Sequence, residues 1–520
     1  MKRKQLLQVL LVSIPLGMGG LSCTELDPKV YDRVTTFWNT PDQIAAGVGR
    51  TYMGLRGYYQ PFGIYSLNEC STDEVIVPTR GGDWYDNGVW EELWKHTWGP
   101  SNSNIISAWQ FIYLNSDNVN LILQNIDQLD PPPDDFESTQ AQLKMIRAFY
   151  YYLALDLFGN VPIAESPNTP LSQLSNQSPA EVFDFVENEI KNNLAALPAE
   201  VDASTYGRAT QWFAQALLAK LYLNAQVYTG TPRWPECIAA CDFILNSSMY
   251  ALEANFFDNF KIANEGSAEN IFVIPFDVQA NLGYFWVEST TLHYASQFTF
   301  GLDFGGYNGF CTTADYLSVF DSQDIRRKTF LVGQQYYGQL QYEDQVFDSS
   351  QIQYVSGLRL IFDPDMRTFS SADPKFQMAG ARCAKWEFNK SGGDLMSNDF
   401  AIFRLADIIL MKAEAQFRNG DVAGALTTIN KKTINGVSIR SRTGLPDFSA
   451  AEMTLEGLLK ERARELAWEG WRRNDLIRFG RFTDARIPEK EISENFRTLF
   501  PIPKAELDKN GYLRQNPGYN

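Results

Sequence analysis

Apolar residues recur three and four positions apart through most of the chain, the spacing of helices that bury one face. From Ile105 to Asp127 the pattern holds until the break at Pro131-Pro132-Pro133. A second run, Gln140 to Phe158, puts Leu143, Ile146, Tyr150, Leu153, Ala154 and Leu157 on one face. Ser178-Pro179-Ala180-Glu181 reads as a capping box with proline in the first turn, opening a helix to about Leu197. Gly207 to Tyr228 aligns Ala214, Leu217, Leu218, Leu221 and Ala225, and Trp234 to Asn246 forms a shorter run. Upstream, Thr40-Pro41-Asp42 is a good cap for the first helix-like segment. Successive helices of this length, joined by short turns, predict antiparallel pairs stacked as in a tetratricopeptide solenoid. No strict repeat is legible.

The pattern changes between Pro275 and Phe400, where Gly, Tyr, Phe, Ser and Asp accumulate and runs such as Gln353 to Phe362 alternate like strands. A long non-helical stretch in a helical scaffold is either functional or disordered. Its aromatic content argues for order. Helical spacing then returns and is strongest from Leu458 to Phe482. Leu458, Leu459, Ala463, Leu466, Ala467 and Trp471 form the stripe there, with Glu461, Arg462, Glu465, Glu469, Arg472 and Arg473 on its flanks. The expectation is one helix laced by ion pairs, each contributing roughly a few tenths of a kcal/mol. Gly470 inside it marks close packing or a helix end. Glu461, Glu465 and Glu469 are read as scaffold, because glycosidase carboxylates face each other across a cleft.

The run ERARELAWEGWRRNDLIRFG in this stretch resembles the helical signature of SusD/RagB-type outer-membrane glycan-binding lipoproteins. The closing segment LFPIPKAELDKNGYLRQNPGY is similar to theirs as well. Further likenesses are Arg147-Ala148 through Tyr151 with LFGNVP (157–162), Gly207-Arg208-Ala209-Thr210 with LLAK (217–220), and FRLAD (403–407) with KAEA (412–415). The resemblance spans nearly all of the mature chain. It implies a mostly α, tetratricopeptide-like scaffold whose irregular, partly β insertion is adapted to the substrate. It also implies glycan binding by shape on an arc of aromatics, and a SusC-like TonB-dependent transporter beneath.

Composition narrows the partners. The formal charge of −17 becomes −20 once Lys2, Arg3 and Lys4 leave with the first 22 residues, so nucleic acid is no partner. Those residues read as an export signal, with an apolar stretch from Leu6 to Met18 broken by Pro15. Leu21-Ser22-Cys23 matches a lipobox, predicting cleavage before Cys23 and a lipid anchor there. The other cysteines, Cys70, Cys237, Cys241, Cys311 and Cys383, are scattered and odd in number, and are expected to pack as small apolar residues. With His96 and His293 the only histidines, no zinc site is expected. Asp363-Pro364-Asp365 has too few oxygen ligands around it for calcium and reads as a turn. No cofactor is expected. The organisation that follows is a signal peptide (1–22), a lipidated tether (23–39), an N-terminal helical region (40–274), the aromatic insertion (275–400) and a C-terminal helical region (401–520).

The candidate site begins in the stretch from Ser71 to Trp98. Trp90, Trp94 and Trp98 recur every four residues and read as a core ridge. Trp84 and Tyr85 follow Gly81-Gly82 in a loop, with Arg80, Asp83 and Asp86 as polar companions. Exposed rings stack on the C–H face of a sugar while carboxylates and guanidinium groups pair with its hydroxyls. Trp286, Tyr294, Tyr307 and Phe310, with Asp303 and Asn308, would form a second wall, and the glycines of GLDFGGYNGF (301–310) would let that loop approach a ligand or else pack as a turn. No phosphate loop, nucleophile elbow or metal spacing is present. The reading is non-catalytic glycan capture. A lipid-anchored glycoside hydrolase with carboxylates brought together by folding, or a scaffold binding only protein, stays open.

Overall fold

The computed structural model describes residues 40–519 apart from 131, 133–134, 281–285, 344–349 and 356. The expected lipobox, Cys23 and the tether lie outside the described residues. The N-terminal half contains α1 (Pro41–Leu55), α2 (Ile64–Glu69), α3 (Val89–Lys95), α4 (Ser103–Ile126), α5 (Phe136–Phe158), α6 (Pro179–Asn193), α7 (Gln211–Leu223), α8 (Ala225–Thr229) and α9 (Trp234–Leu245). The middle carries only short helices, α10 (Val287–Thr291), α11 (Ser296–Phe300) and α12 (Ala314–Leu317). The chain closes with α13 (Leu405–Arg418), α14 (Val422–Asn430), α15 (Leu455–Glu465), α16 (Arg472–Arg478) and α17 (Lys504–Lys509).

Local chemistry sets the helix ends. Thr40 and Gln43 exchange side-chain and backbone hydrogen bonds at the start of α1, and Ser178 and Glu181 do the same at α6. The run read as Gly207 to Tyr228 is cut at Asn224 into α7 and α8. In the solenoid, α4 packs on α5, α5 on α6, and α7 on α9. α9 then packs on α13, and α13 on α14, so the stacking resumes after the whole middle segment. That segment leaves and returns through one antiparallel ribbon, Asn270–Ile274 against Phe400–Arg404, with Phe400 opposite Ile274. Phe272 of the ribbon stacks on Phe213 of α7 with centroids 3.8 Å apart.

One core runs from α1 to Tyr519, and a smaller one from Leu292 to Phe388 lies inside the excursion. The excursion holds two-residue ladders rather than long strands. Its expected strand, Gln353 to Phe362, is instead a hairpin, Gln353–Val355 against Leu358–Arg359, with Gly357 at φ 82°. Ile361–Phe362 then turns to pair with Gly333–Gln334.

The stretch from Leu458 to Phe482 is not one helix. α15 ends at Glu465, Trp468 and Gly470 take φ of 62° and 85°, and α16 starts at Arg472. Two buried carboxyls hold the intervening turn: Glu74 accepts the Trp468 N–H, and Glu69 accepts the Gly470 N–H at 2.5 Å. Glu469 therefore leaves the helical face shared by Glu461 and Glu465.

The ion pairs are also interior, not flanking. Glu465 meets Arg326 (2.9 Å), Arg404 (2.7 Å) and Arg442 (2.5 Å). Arg404 continues to Glu269 and Glu469, each at 2.7 Å, and Lys385 reaches Glu469 at 2.5 Å. A second chain joins the motifs LLAK and FRLAD: Lys220 pairs with Asp407 at 2.7 Å, Asp407 with Arg462 at 3.0 Å, and Arg462 with Asp475 at 2.8 Å. Removing one partner of such a buried set costs about 3–5 kcal/mol, because the others are left uncompensated. The few tenths expected of surface pairs do not apply.

Burial alone would raise the Glu465 carboxyl, but Arg442, Arg404 and Arg326 hold it well below the usual range. Its contribution is complete above the unfolded value of about 4.3 and is lost as pH falls further. Glu74 runs the other way, since burial pushes it up to about 8 against the opposing pull of Arg472. Between about pH 4.3 and 8 the folded chain binds a proton there that the unfolded chain does not, so rising pH erodes stability. Glu74→Gln keeps the acceptor for Trp468 and removes the titration. Urea unfolding from pH 5 to 8 is expected to show a shallower loss of stability in the variant than in the parent; equal slopes would contradict the assignment.

Candidate functional site

The two segments expected to form walls meet. The Trp84 indole N–H donates to the Tyr307 carbonyl at 2.8 Å, and the Tyr294 hydroxyl donates to Asp83 at 2.8 Å. The loop that carries Trp84 is tightly wound, with left-handed φ at Trp84 (60°), Asp86 (40°) and Asn87 (58°). Non-glycine residues in that region cost of order 1–3 kcal/mol and persist where the surroundings over-determine them. Here the surroundings are aromatic. The Trp84 ring lies half-buried, 5.9 Å from Trp90 and 5.8 Å from Phe310, while Asp86 accepts the Trp90 N–H at 2.7 Å. Trp90, Trp94 and Trp98 are all buried, although Trp98 lies beyond the end of α3.

The exposed rim consists of Tyr85 (55% exposed), Tyr307 (38% exposed), Asp83 and Asp86, with Trp84, Trp286 and Tyr294 half-buried beside it. Trp286 and Tyr307 lie 6.2 Å apart, and Phe304 meets Tyr307 edge-on at 5.2 Å. The Tyr307 hydroxyl donates to Asp394 at 2.9 Å. Burial and the bond to Asp83 raise the Tyr294 phenol, and burial and Asp394 raise that of Tyr307, so both stay protonated donors.

Three expected contacts do not reach the surface. Arg80 is buried and donates to the carbonyls of Asn308 (3.0 Å), Ala379 (2.8 Å) and Phe376. Phe310 is buried behind Trp84, and Asn308 is buried with its amide on Gln377. They brace the wall from within. Asp303 is exposed and accepts the Gly393 N–H at 3.1 Å. Gly305, Gly306 and Gly309 of the 301–310 loop serve packing, whereas Gly301 takes a left-handed φ of 69° in open space. A Cβ on Gly309 would collide with the Trp84 indole, and one on Gly306 with the Leu292 carbonyl.

Phe304 and Asp394 join the arc without having been singled out in the sequence. Asp394 follows Ser391-Gly392-Gly393, a turn signal remote from every aromatic motif. Asp365 donates its N–H to the Asp363 side chain in a tight turn. Cys70, Cys237, Cys241, Cys311 and Cys383 are buried free thiols. Among the described residues no three His, Cys, Asp or Glu side chains gather to hold a metal, and no helix is long and apolar enough to cross a membrane.

A helical-pair solenoid with an ordered excursion that completes an aromatic surface arc defines the class of molecule. The chain belongs to the SusD family: the family described as "SusD family" matches residues 268–519, and one described as "Starch-binding associating with outer membrane" matches residues 57–223. The starch-binding protein SusD of Bacteroides thetaiotaomicron is 24% identical over 509 residues, covering 90% of this chain and 86% of that protein. SusD-like protein P25 of Formosa agariphila is also 24% identical, over 99% of each chain. Surface glycan-binding protein A from Bacteroides thetaiotaomicron, solved in complex with laminarihexaose, superposes with a TM-score of 0.70 at 19% identity, covering 92% of this chain and 99% of that one. A laminarin-binding SusD-like protein gives 0.71 at 22% identity, with the same coverage. These structural likenesses establish the fold.

Gly309→Ala is expected to destabilise the protein by driving the new methyl into the Trp84 ring. In the double variant Gly309→Ala/Trp84→Ala the slot is empty, so its thermal midpoint should equal that of Trp84→Ala alone. Additive losses in the double variant would show that Gly309 is required for another reason.

Proposed function

We propose that this protein is a cell-surface lipoprotein that captures an oligo- or polysaccharide without cleaving it and passes it to a SusC-like TonB-dependent outer-membrane transporter. One observation carries the reading: Trp84, Tyr85, Trp286, Tyr294 and Tyr307, from two distant segments, share one surface tied by the bonds Trp84 to Tyr307 and Tyr294 to Asp83. Rigid rings held at fixed spacing recognise a sugar chain by shape, and they lose little entropy on binding.

The carboxylates of the arc favour binding over cleavage. Asp83, Asp86 and Asp394 each orient an aromatic side chain, and Asp303 caps a turn. Glu461 and Glu465 are buried among arginines, out of reach of any substrate. The named relatives, which include a starch-binding and a laminarin-binding protein, support a glycan as the ligand class. Family membership supports the outer membrane and the transporter, with Cys23 as the lipid-bearing residue. The division of the chain at residues 275 and 400 belongs to the same reading, with a helical scaffold that carries the Trp84 loop and an excursion that supplies the second wall for the ligand.

The test is affinity electrophoresis of residues 24–520 in gels containing starch or laminarin, with Trp84→Ala and Tyr85→Ala alongside. Loss of one stacking ring is expected to weaken retardation by up to about tenfold, with no new reducing ends from the parent protein. Retardation unchanged in both variants would remove the arc as the site, and released reducing ends would refute capture without cleavage.

A further inference from the structure

Beyond the 301–303 turn from the arc, the excursion contains a recess of about 230 Å³ between Phe300 and the 339–343 and 387–390 segments. Its floor is aromatic. Phe300 and Phe388 meet edge-on at 4.9 Å, and Tyr342 is stacked on Phe257 at 4.1 Å with its hydroxyl donating to the Lys385 carbonyl at 2.9 Å. Tyr342 is held in a left-handed backbone, φ 65°, a conformation that costs energy and needs a local reason. Two positions along the chain from the lining residues Phe300 and Gln339, Phe298 (49% exposed) and Tyr337 (39% exposed) stand 6.2 Å apart on the surface, and the Gly338 N–H bonds to the Phe298 carbonyl at 3.4 Å.

The polar groups are arranged for hydroxyls. Gln339 Oε1 is buried in the rim and accepts no hydrogen bond among the described residues. A buried acceptor without a donor calls for an explanation; Gln339 itself lines the recess and is only half-buried, so turning its amide outward would present that oxygen to a sugar hydroxyl. Gln341, two residues on, is fully engaged with the carbonyls of Ala384 and Trp386 and the N–H of Phe388. Glu343 and Lys390 are exposed at the edge, and Glu387 beside them adds a second negative charge. A rim with two carboxylates and one ammonium, on a chain of net charge −17, disfavours an acidic sugar.

We propose that this recess is a second carbohydrate subsite for a neutral sugar unit, lying along the same surface as the arc. It rests on the glycan reading above. Continuity is physical: the Lys390 carbonyl at the recess accepts the N–H of Asp303, an arc residue, at 3.2 Å. One ligand chain long enough to span both places gains the second contact as an intramolecular event, so affinity rises with chain length beyond what the arc supplies.

Calorimetry of residues 24–520 with laminaritriose, maltotriose, laminarin and starch tests this, using Phe298→Ala/Tyr337→Ala and Gln339→Ala against Trp84→Ala. Both aromatic positions are exposed, so folding is not at stake. The double variant is expected to lose about tenfold for the polymer that binds while its trisaccharide is unaffected, whereas Trp84→Ala weakens both. Unchanged polymer affinity in the double and Gln339 variants, with Trp84→Ala still defective, would overturn the second subsite and leave the arc standing. Equal losses for trisaccharide and polymer in the double variant would overturn the spanning geometry. No binding of any of the four sugars by the parent protein would overturn the functional reading and this inference with it. Binding of alginate that Lys390→Ala abolishes would overturn the neutral assignment.

Discussion

Glu465 is the fixed point of the molecule. Its two oxygens bind arginines from three places: Arg326 in the excursion, Arg404 at the ribbon that closes it, and Arg442 in the C-terminal region. Arg404 in turn carries Glu269, the residue just before the opposite strand of that ribbon. Charges taken this far from water stabilise nothing by themselves. They are tolerated only when every partner is in place. The node therefore acts as a geometric requirement, under which scaffold, neck and excursion assemble together or leave charges bare.

From that node the proposed binding surface follows. The turn after α15 is held by Glu69 and Glu74, at the start of the segment that leads to Trp84. Trp468 of the same turn donates to Thr312, immediately beyond the loop carrying Tyr307 and Phe310. Both walls of the arc are thus referenced to one buried turn, and Arg80 and Asn308 brace them internally. The strained backbone at Trp84 is sustained by this packing. A platform so fixed is suited to select a ligand by the spacing of its rings, with little reorganisation on contact.

Much of this was legible in the residues. Caps at Thr40 and Ser178, the helical stripes, and the compositional break near 275 and 400 all carry local signals, and the signature around Glu465 carries the family. A single helix across Gly470 is what the local spacing suggests, and it fails for a physical reason: the carboxyls that clamp the turn lie 394 and 401 positions upstream of the N–H groups they accept. The burial of the charged residues was hidden as well, since a helix with Glu and Arg on its flanks looks the same whether water or other arginines face it. At the site, the choice of Trp84, Tyr85, Tyr294 and Tyr307 followed from aromatics among glycines and acids. Arg80 and Phe310 share that composition but point inward, which only the tertiary contacts decide. Asp394 had no local mark tying it to Tyr307.

The central claim is that residues 80–86 and 286–310 act together as one glycan-binding surface on a rigid scaffold. Amide hydrogen exchange of residues 24–520, with and without a saturating concentration of a polysaccharide that retards the protein, tests it most directly. The account predicts joint slowing in both segments and no change in α13, α15 or α16, whose exchange reports the buried ion node. Slowing confined to the helical solenoid, with both aromatic segments unaffected, would contradict it.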